Sequence, residues 1–163
     1  DDVFDRIIEL ALKAKTLGVR YASIKALVSL FGVTKDVKPF LNEALVTICI
    51  NYITDANTTL SCLCMLIIVL DSGDAAMADF AVKKGALDII FRLAEDVPMP
   101  VQQNIAEIRE LCMTGLSALS RNPTYAKALH QKDIWTLLYR LYDEGNFGEL
   151  SLTIVKNIVV KIG

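Results

Sequence analysis

The sequence is poor in most of the residues that chemistry at a site would need. Its 163 residues hold one histidine, His130, and one tryptophan, Trp135. A Cys/His metal centre would have to collect its ligands from scattered places, and no ligand spacing of that kind occurs. Seventeen basic against nineteen acidic residues leave a net charge of −2. That balance gives no electrostatic reason to bind nucleic acid or an anionic membrane, and Lys83-Lys84 and the basic residues within 20–25 are too sparse for a phosphate-tracking stripe. Four prolines and eight glycines are too few for an all-β fold built on many tight turns. No apolar run reaches the ~20 residues of a membrane span. Signal-peptide, transit and lipidation patterns are absent, and a chain that opens on Asp1 without Met reads as a piece of something longer.

Hydrophobic residues are plentiful, at 53%, so the chain can bury a substantial core. The densest stretch is 60–70, with one polar residue in eleven. Leu60, Leu63, Cys64 and Ile67 fall on one helical face, while Cys62, Met65, Leu66 and Val69 make much of the rest apolar. Neighbours must therefore cover this helix on more than one side.

The remaining polar candidates read as structural. Cys62 and Cys64 would point ~200° apart on a helix, unsuited to a shared metal or a disulfide. With Cys49 and Cys112 they read as small reduced hydrophobes, which favours a reducing, cytoplasmic setting. His130 sits at a helix C-terminus, where a cap or surface role suffices. Asp71 and Asp74 bracket a turn and read as caps, Asp74 for the helix that follows, and with Asp79 they lack the ligand pattern of an EF-hand. Glu107, Arg109, Glu110, Asp143, Glu144 and Glu149 read as solvated faces or turns. Neither Gly-x-Gly-x-x-Gly nor a P-loop occurs, and no hydroxyl or thiol nucleophile has a local base. The expectation is no catalytic residue, no metal and no cofactor.

Periodicity predicts helices throughout. The segment 3–15 places Phe4, Ile7, Ile8 and Ala11 inward, with Asp1, Asp2 and Asp5 at its positive end, and Gly18 as its break. The segment 20–30 has Ala22-Ser23, Ala26-Leu27 and Leu30 as its inner stripe and ends at Gly32. After a connector at 34–39, the segment 40–52 fits a helix through Leu41, Leu45, Ile48 and Tyr52. It also fits a strand through alternating Val46, Ile48, Ile50 and Tyr52; its helical surroundings favour the helix. Residues 55–58 supply turn and cap chemistry. Helices are further expected at 75–84 (closed by Gly85), 86–94, 102–119, 125–131, 134–142 and 149–162, with Asn122-Pro123 as cap and first turn and a turn at 145–148.

The ends of the long helices, Leu30, Leu70, Leu119 and Val160, recur 40, 49 and 41 residues apart. A period near 40 made of short, short and long helices is the signature of an α-solenoid, whose units bury their faces against neighbours. Residues 80–93, Phe-Ala-Val-Lys-Lys-Gly-Ala-Leu-Asp-Ile-Ile-Phe-Arg-Leu, resemble the first two helices of an armadillo repeat. Residues 115–123 resemble the end of its third helix and the link onward, and Lys132-Asp133-Ile134 stands where Lys84-Gly85-Ala86 stood. The resemblance implies an all-α, right-handed solenoid in one domain of about four armadillo-like repeats, 1–34, 35–72, 73–121 and 122–163. HEAT-type solenoids share the period.

That resemblance also implies a function. Third helices line the concave face of armadillo proteins, so Lys25, Ser29, Met65, Val69, Thr114, Ala118, Val155 and Val159 are the expected groove residues. None is the Trp or Asn with which import receptors hold basic peptides, so that mode is not expected, and Trp135 on a second helix reads as core packing. The expected role is a protein–protein interaction scaffold. Similar regions occur in the myosin-directed co-chaperone family, favoured by its size, and in cytoskeletal scaffolds and small-GTPase adaptors. A regulatory solenoid of a larger enzyme and a self-associating module are the alternatives. Ile154, Val155, Ile158, Val159, Val160 and Ile162 give the last helix more apolar surface than a terminal cap should show, which suits either further repeats or self-association through that helix.

Overall fold

A computed structural model describes residues 2–144 and 147–163. Among these the secondary structure is helical, with no strand. Ten helices run in order: α1 (Asp2–Lys13), α2 (Leu17–Val33), α3 (Glu43–Tyr52), α4 (Thr59–Asp71), α5 (Ala75–Lys83), α6 (Ala86–Glu95), α7 (Ile105–Ser120), α8 (Pro123–Gln131), α9 (Ile134–Asp143) and α10 (Gly148–Ile162). Short 3-10 turns at Lys38–Phe40 and Met99–Asn104 hold the prolines near their starts, where a missing N–H costs nothing. The chain divides into two compact units, 1–86 and 87–163.

In the first unit α1 packs on α2, and α4 lies against α2, α3 and α5. Phe4 meets Phe31 edge-on at 5.9 Å and Phe40 at 4.9 Å between ring centroids. The 40–52 segment resolves as helix because Asn42 caps it, its side-chain oxygen accepting from the Leu45 N–H at 2.8 Å. The break before α2 is made by Thr16, which accepts from the Val19 N–H. Gly18 and Gly32 both lie inside α2. Its buried stripe is Ser23, Ile24, Leu27 and Phe31, about one residue on from the expected one, and Ala22 is exposed. At α4 the Thr58 hydroxyl donates to the Tyr52 carbonyl, not to the helix start, and Asp55 builds the turn by accepting from the Asn57 N–H. Both faces of α4 are largely interior: Cys62, Met65, Leu66 and Val69 are all buried, and of the other face Leu63 and Ile67 are buried while Leu60 and Cys64 are half-covered.

In the second unit α10 packs on α7, α8 and α9. Asn157 of α10 donates to the buried Ser120 hydroxyl at the end of α7. Arg109, expected on a solvated face, is mostly buried and pairs with Glu144 at 3.1 Å, which ties α7 to the end of α9. Arg140 donates to the Glu95 carbonyl at the end of α6. Both are charge-assisted links between elements, the kind with most structural weight. On α10 the last buried residue is Ile158; Val160, taken as the repeat's final core position, is exposed.

Two successive runs of helices match in length: α5, α6 and α7 have 9, 10 and 16 residues, and α8, α9 and α10 have 9, 10 and 15. Each run opens on a side-chain cap, Asp74 to the Met77 N–H and Asn122 to the Thr124 and Tyr125 N–H groups. Each first helix also ends on a left-handed residue, Gly85 at φ +102° and Asp133 at φ +59°. Gly85 reaches that region without strain; Asp133 is of the few L-residue types that tolerate it. The turn expected at 145–148 lies partly outside the described residues. Its Phe147 has φ +62°.

Candidate protein-interaction site

The polar groups singled out in the sequence are committed to structure. Cys49, Cys62 and Cys112 are buried and unpaired as disulfides, and burial pushes their thiols up, Cys62 and Cys112 to about 12. A thiol held neutral is a poor nucleophile and a poor metal ligand. Asp74 caps α5, and Asp79 pairs with Lys83 at 3.2 Å along one helix. Among the described residues no three His, Cys, Asp or Glu side chains stand close enough to hold a metal ion. No helix there is long and apolar enough to cross a membrane. The Asp55 carboxylate accepts from the Tyr21 hydroxyl and from the Asn57 backbone and side-chain N–H groups. The Asn57 backbone N–H, above all, and the Tyr21 hydroxyl at 2.9 Å hold its carboxyl below the usual range. Arg20 lies over the Tyr52 ring beside it.

Of the eight expected groove residues, two are not surface at all. Met65 is 1% exposed and Val69 fully buried. The reason is the all-round apolarity of α4: helices α2, α3 and α5 pack on it, and both side chains lie inside that packing. In the same unit Lys25 and Ser29 are polar and exposed on α2. In the second unit Thr114 and Ala118 are half-buried on α7, and the Thr114 hydroxyl is returned to the Glu110 carbonyl of its own helix. Val155 is half-buried and Val159 is 55% exposed, both on α10.

Those last two belong to a site that the groove frame missed. Trp135, Tyr139 and Tyr142 recur at i, i+4 and i+7 along α9, and Leu152, Val155 and Val159 recur at i, i+3 and i+7 along α10. Between the two stripes lies a shallow cleft of about 270 Å³, with Leu138 and Ser151 in its lining. The core of this unit is filled instead by Ile134, Leu137, Leu138 and Leu141 of α9 and Ile154 and Ile158 of α10. Each helix therefore carries two apolar faces, and one of them is uncovered: Tyr139 is 74%, Tyr142 58% and Leu152 63% exposed. Trp135 is only half-buried, so it is not the core residue its sequence position suggested. Its indole N–H donates to His130 Nδ1 at 2.9 Å, with the rings edge to face at 5.8 Å. That bond clamps the end of α8 to the start of α9 across the left-handed Asp133, and it fixes one wall of the cleft. The Ser151 hydroxyl is buried without a hydrogen-bond partner. The aromatic spacing 135, 139 and 142 was legible; its meaning required knowing that the other face of α9 already fills the core.

Against protein-family models, curated proteins and solved structures, the chain finds no significant match.

Proposed function

We propose that this chain is a non-catalytic protein-interaction scaffold, an armadillo-like right-handed α-solenoid segment that works in the cytoplasm and binds a partner protein. The repeat reading is supported by the equal helix lengths of the two runs and by their matching caps and left-handed corners at Gly85 and Asp133. Three buried, unpaired thiols suit a reducing compartment. The observation that carries the binding role is the uncovered α9–α10 face. Large aromatic and aliphatic side chains at helical spacing, uncovered on a folded surface, mark interaction sites. Its Trp and Tyr residues are the types richest in binding energy. The binding surface is thus placed on Trp135, Tyr139, Tyr142, Leu152, Val155 and Val159, keeping two of the expected groove residues. The most specific form of this reading is a segment of a myosin-directed co-chaperone, with myosin as its client.

The test is photo-crosslinking from position 139 or 152 of the full chain, compared with positions 25 and 29. Adducts to a defined protein from the first pair alone support the reading, and purified myosin is the first partner to try. Adducts from all four positions equally, or from 25 and 29 alone, overturn it.

A further inference from the structure

From the shape and area of the α9–α10 face we infer that its occupant in the free protein is a second copy of this chain, packed face to face about a two-fold axis. The inference rests on the reading of this face as a protein-binding surface and adds what covers it.

The first support is area. A fully uncovered tyrosine presents ~200 Å². At the exposures of Tyr139, Tyr142, Leu152 and Val159, with smaller parts from Trp135 and Val155, the face offers on the order of 600 Å² per copy. Two such faces joined remove about 1,200 Å², the lower edge of what a specific interface needs. The second support is self-complementarity, which an isologous contact demands. The face has both a cleft, between α9 and α10, and at the wall of that cleft a largely exposed side chain, Tyr139. A tyrosine of one copy entering the cleft of the other brings a phenol towards the Ser151 hydroxyl, a buried group with no hydrogen-bond partner in the single chain. Buried polar groups are seldom left so. The cleft lining carries no charged side chain and is mostly apolar, so the contact is driven by burial, with little dependence on salt.

One neighbouring exposed apolar position lies off this face. Val160 is 69% exposed but lies about 80° round α10 from Leu152 at 100° per residue, which makes it a built-in control.

Sedimentation equilibrium of the full chain from micromolar to millimolar concentration tests the inference. The expected result is a monomer–dimer equilibrium that Leu152→Lys weakens by about 100-fold, since it buries an uncompensated charge. Val160→Lys should leave it within about 2-fold, as an off-interface surface change. Ser151→Ala and Tyr139→Phe should each weaken it, by less together than the product of their separate effects. Unchanged circular dichroism shows that each variant folds. A chain that stays monomeric throughout, or a dimer indifferent to Leu152→Lys, overturns the inference. The crosslinking test remains separate: foreign adducts from position 152 of a monomeric chain sink the dimer and leave the scaffold reading standing. A dimer sensitive to Leu152→Lys, with no foreign adduct at any dilution, does the reverse.

Discussion

Val69→Ala separates a core role for α4 from a groove role. Val69 is fully buried, on a helix whose Cys62, Met65 and Leu66 are buried with it. The substitution removes two methyl-sized groups, each worth ~0.8 kcal/mol of transfer free energy. The space left behind is about 50 Å³, and at ~24 cal/mol per Å³ it adds about 1 kcal/mol. Alanine's better helix propensity returns roughly 0.5 kcal/mol. The net loss is about 2 kcal/mol, or a fall in Tm of about 4–8 °C for a chain of this size. Val159→Ala on α10 removes the same atoms from a side chain that is more than half exposed, and should stay within about 0.5 kcal/mol. Urea titration followed by far-ultraviolet circular dichroism measures both. Equal effects from the two substitutions, or a larger one at Val159, would refute the assignment of α4 to the core.

Other outcomes follow from the same geometry. Gly85→Ala should cost about 1–2 kcal/mol because φ +102° is closed to an L-residue, although a Cβ there meets no atom within 4 Å; Asp133→Gly at the equivalent corner should be near neutral, the relieved strain offsetting the lost bond from Thr136. In a thiol-reagent assay Cys49, Cys62 and Cys112 should stay unreactive in the native chain and react on unfolding, since all three are buried. Their raised thiol pKa values fix a sign. The folded state holds protons that an unfolded thiol releases above about pH 8.5, so this contribution is fully present below that pH and is lost as pH rises towards the folded values of about 12 for Cys62 and Cys112. His130→Phe removes the Nδ1 acceptor of the Trp135 indole N–H. With a single Trp in the chain, the loss of that bond should shift the Trp fluorescence of the folded chain.

Much of the fold was legible because its signals are local. Asp74, Asn122, Gly85 and the apolar period around Leu87, Ile90, Phe91 and Ala94 marked the helices of 75–95 and 123–131 to within two residues, whereas α7 starts three residues after the expected 102 because Met99–Asn104 forms a 3-10 turn. The glycines at 18 and 32 misled, since a helix anchored by the Thr16 cap tolerates them at about 1 kcal/mol each. What could not be read was which apolar face meets water. On α4 every side is apolar, and only its neighbours decide that Met65 and Val69 are interior. On α9 and α10 the two apolar faces look alike in sequence, and packing alone distinguishes Leu141 and Ile158 from Tyr139 and Val159. The site therefore moved from the expected third-helix line to a two-helix face of which only Val155 and Val159 were named beforehand.

The central claim is that the α9–α10 face is where protein binds. Fluorinated tryptophan incorporated into this chain places one fluorine reporter, at Trp135, on the wall of that face. Titrated with the crosslinked partner and followed by fluorine NMR, its resonance should shift or broaden at the affinity of binding, and Leu152→Lys should abolish both the shift and the binding. A partner that binds with full affinity while the Trp135 resonance stays unchanged would contradict the account.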